Sequence, residues 1–394
     1  MDLRSKRIKD IPESATIAMA AKAREMKEKG VDVISLSLGE PDFKTPQHIV
    51  EGTITEINTG KYFSYPPVNG YLDLREAISK KFREDNGLEY DPGQIVVSNG
   101  AKQSIANVFF ALLDPGDEVI IYTPYWVSYT AMVQLAGGVP VFVKGGIEND
   151  FKAPADQLKR AITEKTKAVI FSSPCNPTGS IFTAEELQQM ANVLLDHPEV
   201  IVISDEIYEL INFTGKHASI GSIEGMQDRT VTVNGFSKGY AMTGWRVGYI
   251  GAPLWLAKAA NKMQGQYTSG NSSISQRAAY VAIRSSTQPS LDMAAAYEKR
   301  RDMVHGLLQD LPGWEVNVPT GAFYFFPNVK DNFGRGPVKN ANDLCLYLLE
   351  DANVSLVTGE AFGAPECIRL SYAASEEELR EAIKRIKISL EKLY

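Results

Sequence analysis

Short apolar runs alternate with amphipathic stretches through most of the chain. Seven runs, at 95–98, 118–122, 139–143, 168–172, 200–204, 230–233 and 247–250, are nearly continuous in apolar, largely β-branched residues. That character predicts strands buried on both faces. Windows at 103–112, 128–136, 155–163 and 184–195 carry helical spacing between them. Thr183 is positioned to cap the last, with Glu185 and Glu186 in its first turn. Such alternation predicts a mostly parallel sheet with helices on both faces.

The pattern changes after residue 290. Runs at 314–318, 323–326, 354–357 and 368–371 read as strands, flanked by helical windows at 293–311, 340–351 and 375–393. The first 45 or so residues offer one helix, 16–29 with Ser14 as a possible cap, and a strand at 33–38. They are too few to fold alone. The expected class is therefore α/β. Residues 1–47 form an arm and helix packing on the smaller domain, 48–290 form a large sheet domain, and 291–394 form a smaller α+β domain.

Composition narrows the function classes. The 394 residues are 44% apolar and 23% charged, so the chain can bury a core without disulfide or metal staples. Three cysteines, no CxxC pair and four histidines argue against a secreted disulfide framework and a zinc or iron–sulfur site. A net charge of −7 without a basic tract disfavours nucleic acid. No apolar leader or membrane-length stretch is evident, which gives the expectation of a cytoplasmic protein that does not contact membranes.

In open α/β sheets, ligands bind beyond the carboxyl ends of the strands, so the residues there are the candidates. After 95–98 comes Asn99-Gly100-Ala101-Lys102, small residues opening a helix, which suits a phosphate or an ordinary tight turn. After 168–172 comes Asn176 between Pro174 and Pro177, an amide presented by a rigid loop or plain turn chemistry. Asp205 closes 200–204, where a buried acid needs a cation, and Tyr208 follows; a helix cap with a packing tyrosine would look the same. Lys238 lies among small and aromatic residues after 230–233, and Arg246 follows it. A desolvated lysine is a nucleophilic amine of the kind a Schiff base requires, although a snorkelling surface lysine is the plain alternative. Each signal is weak alone, but their order binds them. A phosphorylated aromatic aldehyde with a ring nitrogen, pyridoxal phosphate, would use them all.

These residues lie in motifs that resemble the class I aminotransferases of pyridoxal-phosphate fold type I, closest to the bacterial aspartate aminotransferases. The motifs are Gly39-Glu40-Pro41-Asp42-Phe43, Pro124-Tyr125-Trp126, Asn176-Pro177-Thr178-Gly179, Ser204-Asp205-Glu206-Ile207-Tyr208, Ser237-Lys238 through Gly244-Trp245-Arg246-Val247-Gly248, and Arg369-Leu370-Ser371-Tyr372. The resemblance implies that Lys238, with Ser237 beside it, carries the cofactor and shuttles a proton. It implies that Asp205 keeps the pyridine nitrogen protonated and that Tyr208 and Asn176 hydrogen-bond the phenolic oxygen. Trp126 would stack on the ring, and Gly100, Ala101, Lys102 and Arg246 would cradle the phosphate. Tyr65 would reach the phosphate of a partner subunit in a homodimer with shared active sites. Arg369, Gly39, Asn176 and Trp126 would meet the substrate, with Arg369 clamping its α-carboxylate.

Two departures stand out. Many relatives carry a serine three residues before the lysine, where this chain has Gly235, so the cradle is expected to be one hydroxyl short. The arginine that reads a distal carboxylate in other aspartate aminotransferases is also lacking. Lys102, with Ser14 and Thr16, is the expected substitute, a solvent-facing Lys102 being the alternative. The implied reaction is ping-pong transamination in amino-acid metabolism, aspartate plus 2-oxoglutarate giving oxaloacetate plus glutamate. Prephenate, aromatic or alanine aminotransferases and a β-lyase or decarboxylase on the same scaffold are the rivals. A DNA-binding regulator lacks a basic appendage, and a nicotinamide enzyme lacks G-x-G-x-x-G. Trp245 and Met242 are read as packing, Cys175 as an inert loop residue, His217 and His305 as surface residues, and 375–393 as a solvated helix face.

Overall fold

The structure is a computed structural model, and it describes residues 3–9, 11, 13 and 15–394. Strand β1 (Ile34–Ser35) stands apart from a seven-stranded sheet, which comprises β2 (Ile95–Ser98), β3 (Glu118–Thr123), β4 (Val139–Lys144), β5 (Thr166–Ser172), β6 (Ile201–Asp205), β7 (Thr230–Gly235) and β8 (Gly248–Gly251). Its order is β2-β8-β7-β6-β5-β3-β4, with β8 alone antiparallel to its neighbours.

The all-apolar runs become central strands because both faces are covered. Alternate residues face opposite cores. Ala168, Ile170, Ile201, Ile203, Val231 and Val233 pack with Ile105, Val108 and Phe109 of helix Ala101–Leu112 and Leu256 of helix Leu254–Tyr267. On the other face Val169, Phe171 and Val202 meet Leu187, Met190 and Leu194 of helix Ala184–Leu195. That helix begins at the expected cap. The Thr183 Oγ1 accepts from the Glu186 amide at 3.2 Å, and the Glu186 carboxylate accepts from the Thr183 amide at 2.8 Å.

A second, smaller set of strands lies at the far end of the chain. Here β9 (Tyr324–Phe325), β10 (Val354–Ser355), β11 (Val357–Thr358) and β12 (Ile368–Ser371) are flanked by helices Gln288–Leu308, Ala341–Asp351 and Glu376–Glu391. The order β11-β12-β9 is antiparallel, while β10 pairs in parallel with β1. Met19, Ala23, Val33 and Leu36 join this core, so the first helix and strand pack on the last third of the chain. Two strand expectations shrink. Residues 314–318 form no strand, holding only a single bridge from Glu315 to Asn328, and 33–38 reduces to its two paired residues. Both runs alternate apolar and polar residues, but 314–318 lacks a neighbour along most of its length, while 33–38 pairs with β10 and then passes to Ser371 of β12 through the Leu36 carbonyl. No helix among the described residues is long and apolar enough to cross a membrane.

The face of β6 opposite the cavity described below carries a buried polar network. The Glu206 carboxylate accepts from Ser204 Oγ at 2.9 Å, Ser219 Oγ at 2.6 Å and Asn86 Nδ2 at 3.3 Å, and its Oε2 pairs with His217 Nε2 at 2.9 Å. The Asn86 amide also donates to Glu209 at 2.9 Å, and Lys81 forms an ion pair with Glu209. Burial works to raise the Glu209 carboxyl, but Lys81 and His217 outweigh it and hold it below the usual range. His217 is therefore not the surface residue expected: its side chain is 8% exposed and closes this network. Its hydrogen-bond partner, Glu206, stands eleven residues earlier, across a segment that is neither helix nor strand, so no periodicity links the two. Replacing Lys81 with Met should leave Glu209 buried without its cation and cost about 3–5 kcal/mol. Urea unfolding of Lys81→Met would read this as a lowered midpoint, and an unchanged midpoint would refute it.

Candidate active site

The sheet topology gathers the candidate residues at one edge. Asp205 ends β6, Asn176 follows β5, Lys238 follows β7 and Trp126 follows β3. Arg246 precedes β8, but β8 runs antiparallel, so its start lies at the same edge. These side chains line one cavity of about 350 Å³ together with Thr16, Gly39, Ala101, Lys102, Tyr208, Ser237 and Arg369. That size suits a small-molecule ligand.

At its floor, the Asp205 carboxylate accepts from the Tyr129 hydroxyl at 2.6 Å and the Ile207 amide at 3.3 Å. Burial dominates and raises this carboxyl to about 6, although both hydrogen bonds work to lower it. Lys238 Nζ donates to the Gly39 carbonyl. Burial lowers the Lys238 amine to about 8, with Arg369 and Arg246 acting the same way and Glu40 and Asp205 opposing. A neutral amine is thus accessible at ordinary pH, which a surface lysine does not provide.

Arg369 comes from β12, and its guanidinium is buried. Nη1 donates to Asn176 Oδ1 at 2.9 Å and Nη2 to the Ser37 carbonyl at 2.6 Å, while Nε has no partner. Every partner is neutral, so the positive charge remains available to an anion.

The phosphate-type turn is formed as expected. Gly100, at φ 83°, precedes helix Ala101–Leu112, and the first amides of a helix have no intrahelical acceptor. Its positive φ favours glycine, and a side chain at Gly100 would place its Cβ 2.5 Å from Arg246 Nη2 and push the guanidinium aside. Arg246 itself is left-handed, at φ 56°. The Asn271 amide fixes that backbone, donating to the Arg246 carbonyl at 2.7 Å and to the Ser98 carbonyl at 2.9 Å.

Lys102 Nζ lies 5.1 Å from the centroid of the Trp126 ring, and burial with the nearby Arg246 lowers its pKa. Lys102 thus borders the cavity while staying exposed to solvent. Thr16 Oγ1 is buried there without a partner, whereas Ser14 lies outside the described residues. Tyr65 is not brought to this cavity; it is 95% exposed. Cys175 is inert as expected, its thiol pushed up to about 11 by burial.

Three site residues escaped the sequence reading. Tyr129, Asn271 and Tyr324 each hold a candidate residue through a hydroxyl or amide. Only Tyr129 left a usable signal, three positions after Trp126 and in the first turn of the helix Ser128–Leu135 that Trp126 precedes.

The family model "Aminotransferase class I and II" matches residues 31–386. The chain belongs to this family. Enzymes of this family transfer amino groups with pyridoxal phosphate. An aspartate aminotransferase of Bacillus subtilis (strain 168) is 44% identical over 98% of this chain and 99% of its own length. The bifunctional aspartate aminotransferase and glutamate/aspartate-prephenate aminotransferase of Petunia hybrida is 45% identical over 98% of this chain and 82% of its own. Among solved structures, the aspartate aminotransferase of Rhizobium meliloti superposes with a TM-score of 0.96 at 41% identity, covering 100% of both chains. That of Thermus thermophilus with maleate gives 0.93 at 40% identity over 99% of this chain and 100% of its own.

The depressed Lys238 amine predicts a reactivity profile for this aminotransferase. Trace acetylation of Lys238 in the cofactor-free protein, followed by peptide mass, should rise with pH through a midpoint near pH 8. About one pH unit higher the amine is nearly all neutral and gains no more, whereas an ordinary lysine keeps gaining reactivity toward its usual pKa of 10.5. A Lys238 profile matching the surface lysines would refute the assignment.

Proposed function

We propose that this chain transaminates L-aspartate with 2-oxoglutarate, alternating two half-reactions at one pyridoxal-phosphate site built on Lys238. The observation that carries the reading is the gathering of Lys238, Asp205 and Arg369 in one cavity. The donor set fits the cofactor: a buried acid for a ring nitrogen, a depressed amine for an aldehyde, and a helix start with Arg246 for a phosphate.

Bound there, pyridoxal phosphate supplies an aldehyde for the lysine and a ring that accepts the electron pair released at the substrate α-carbon. Asp205 holds a proton at the ring nitrogen. Lys238 takes the α-proton and returns it one carbon away, acting as the general base once its amine is free. Tyr208 and Asn176 would hydrogen-bond the phenolic oxygen, and Trp126 would cover the ring. Ser237 lies beside Lys238, and Gly100, Ala101, Lys102 and Arg246 hold the phosphate. Arg369 orients the α-carboxylate with Gly39 alongside.

The substrate assignment rests on Lys102. Its ammonium, over Trp126 in the cavity that Thr16 also lines, adds a cation and suits the second carboxylate of a dicarboxylic substrate. The Thermus relative's structure with maleate, itself a dicarboxylate, supports that chemistry. The second activity in the petunia relative's name favours prephenate as the rival substrate.

A second copy of the chain and a cytoplasmic setting belong to the same proposal. Tyr65, Phe63 and Tyr267 are 95%, 70% and 71% exposed, on segments that touch through the Gln264–Val68 hydrogen bond. An exposed aromatic surface of this kind suits an interface, and Tyr65 would enter the partner's site. The division at 47/48 and 290/291 puts Arg369 and Lys238 in different domains, with the substrate between them.

A panel of amino donors with 2-oxoglutarate tests the reading. Aspartate should lead, and negligible aspartate turnover would remove it. Lys102→Ala should lower kcat/KM for aspartate about tenfold more than for alanine; equal losses would contradict the distal-carboxylate role. Arg369→Lys should raise KM roughly 10- to 100-fold for every amino acid, since an ammonium cannot pair bidentately. Lys238→Ala should abolish both turnover and the adduct that borohydride fixes in the parent.

A further inference from the structure

Tyr208 and Tyr324 reach each other from different sheets. Tyr208 follows β6, whereas Tyr324 opens β9. Their rings meet edge-on at 5.9 Å, and their hydroxyls lie 2.7 Å apart. Both are buried, but Tyr208 lines the cavity and Tyr324 lies behind it.

The direction of that hydrogen bond is decided by what each proton could reach. Among the described residues, the Tyr324 hydroxyl has no partner except Tyr208. On its other side is the Gly39 backbone, so close that an added Cβ would lie 2.5 Å from the hydroxyl oxygen. If Tyr208 donated, the Tyr324 proton would be buried without an acceptor, which is costly. If Tyr324 donates, it is satisfied, and the Tyr208 proton is left for the cavity. We infer that Tyr324 is a positioning residue that donates to Tyr208 and so commits the Tyr208 proton to the phenolic oxygen of bound pyridoxal phosphate. This rests on the cofactor reading above.

Other groups face the pair. Lys238 Nζ lies 5.8 Å from the Tyr208 ring centroid, and the Arg369 guanidinium lies 4.7 Å from that of Tyr324. Asp205 is three residues before Tyr208, and Phe323 packs edge-on against it at 5.5 Å. Tyr324→Phe keeps the ring beneath Arg369 and removes only the hydroxyl. It therefore separates hydrogen-bond direction from support of the carboxylate clamp.

The test compares the parent with Tyr324→Phe, Tyr208→Phe and the double variant, each reconstituted with pyridoxal phosphate. The absorbance of the bound chromophore is titrated with pH. Without a donor on its oxygen, Tyr208 is a weaker acid and stabilises a phenolate less. Tyr324→Phe should therefore raise the titration midpoint by roughly half to one pH unit. Tyr208→Phe should raise it at least as far, and the double variant should match Tyr208→Phe alone. Turnover should fall in Tyr324→Phe while KM for the amino acid stays within about twofold, since the charge-assisted Arg369 contacts are kept. Melting of the cofactor-free proteins checks that packing is intact. An unchanged midpoint in Tyr324→Phe, or a shift that adds to that of Tyr208→Phe, would overturn the assignment. A parent with neither chromophore nor a borohydride-fixed adduct at Lys238 would overturn the cofactor reading itself, and this inference with it.

Discussion

One acid and two of the cations that line the cavity, Asp205, Lys238 and Arg369, are held by neutral partners. Asp205 rests on a tyrosine hydroxyl and an amide, Lys238 on a carbonyl, and Arg369 on an asparagine and a carbonyl. Direct pairing of Asp205 with Lys238 or Arg369 would satisfy the charges and abolish their use. Neutral partners pay part of the desolvation penalty without cancelling the charge. The remaining cost falls on the fold, which is why the site sits at the edge of a sheet covered by an apolar core on each face. Ligands of opposite charge gain most in such a place, because screening is weakest there.

The same constraint explains which residues the sequence displayed. Asp205, Asn176, Lys238 and Trp126 each follow a strand, and a parallel sheet turns that local fact into spatial convergence. The strand runs were legible because burial on both faces makes them continuously apolar. Arg369 has no comparable local signal and was carried by the family motif. Tyr324 and Asn271 act at separations in sequence of 116 and 172 residues from Tyr208 and Asn99. No periodicity encodes such distances. His217 was misread for a related reason: a lone histidine in a polar segment looks solvated until Glu206 is brought to it from β6. Residues 314–318 fail in the opposite sense, since their alternation is that of a strand while the fold gives them little to pair with.

Gly235 extends this argument to the phosphate side of the site. It pairs with Gly248 across β7 and β8, and a Cβ on it would lie 2.9 Å from both the Gly248 Cα and the Val247 carbonyl oxygen. Glycine is therefore imposed by the close approach of two strands, and a serine at 235 would need the backbone to move. A cradle built on this backbone forgoes that hydroxyl and depends on the other donors. Arg246 is held in a left-handed conformation that a non-glycine residue adopts only under constraint, and Asn271 supplies the constraint by tying its carbonyl to β2. Lys102 and Arg246 are close enough for Arg246 to lower the lysine's pKa. Confining two cations beside a helix start is unfavourable until anions arrive, so a phosphate at Arg246 and a carboxylate at Lys102 would each relieve that repulsion. Tight strand packing thus stands at the position of one neutral hydroxyl, and in the proposed site charge and backbone amides would carry the binding of the phosphate.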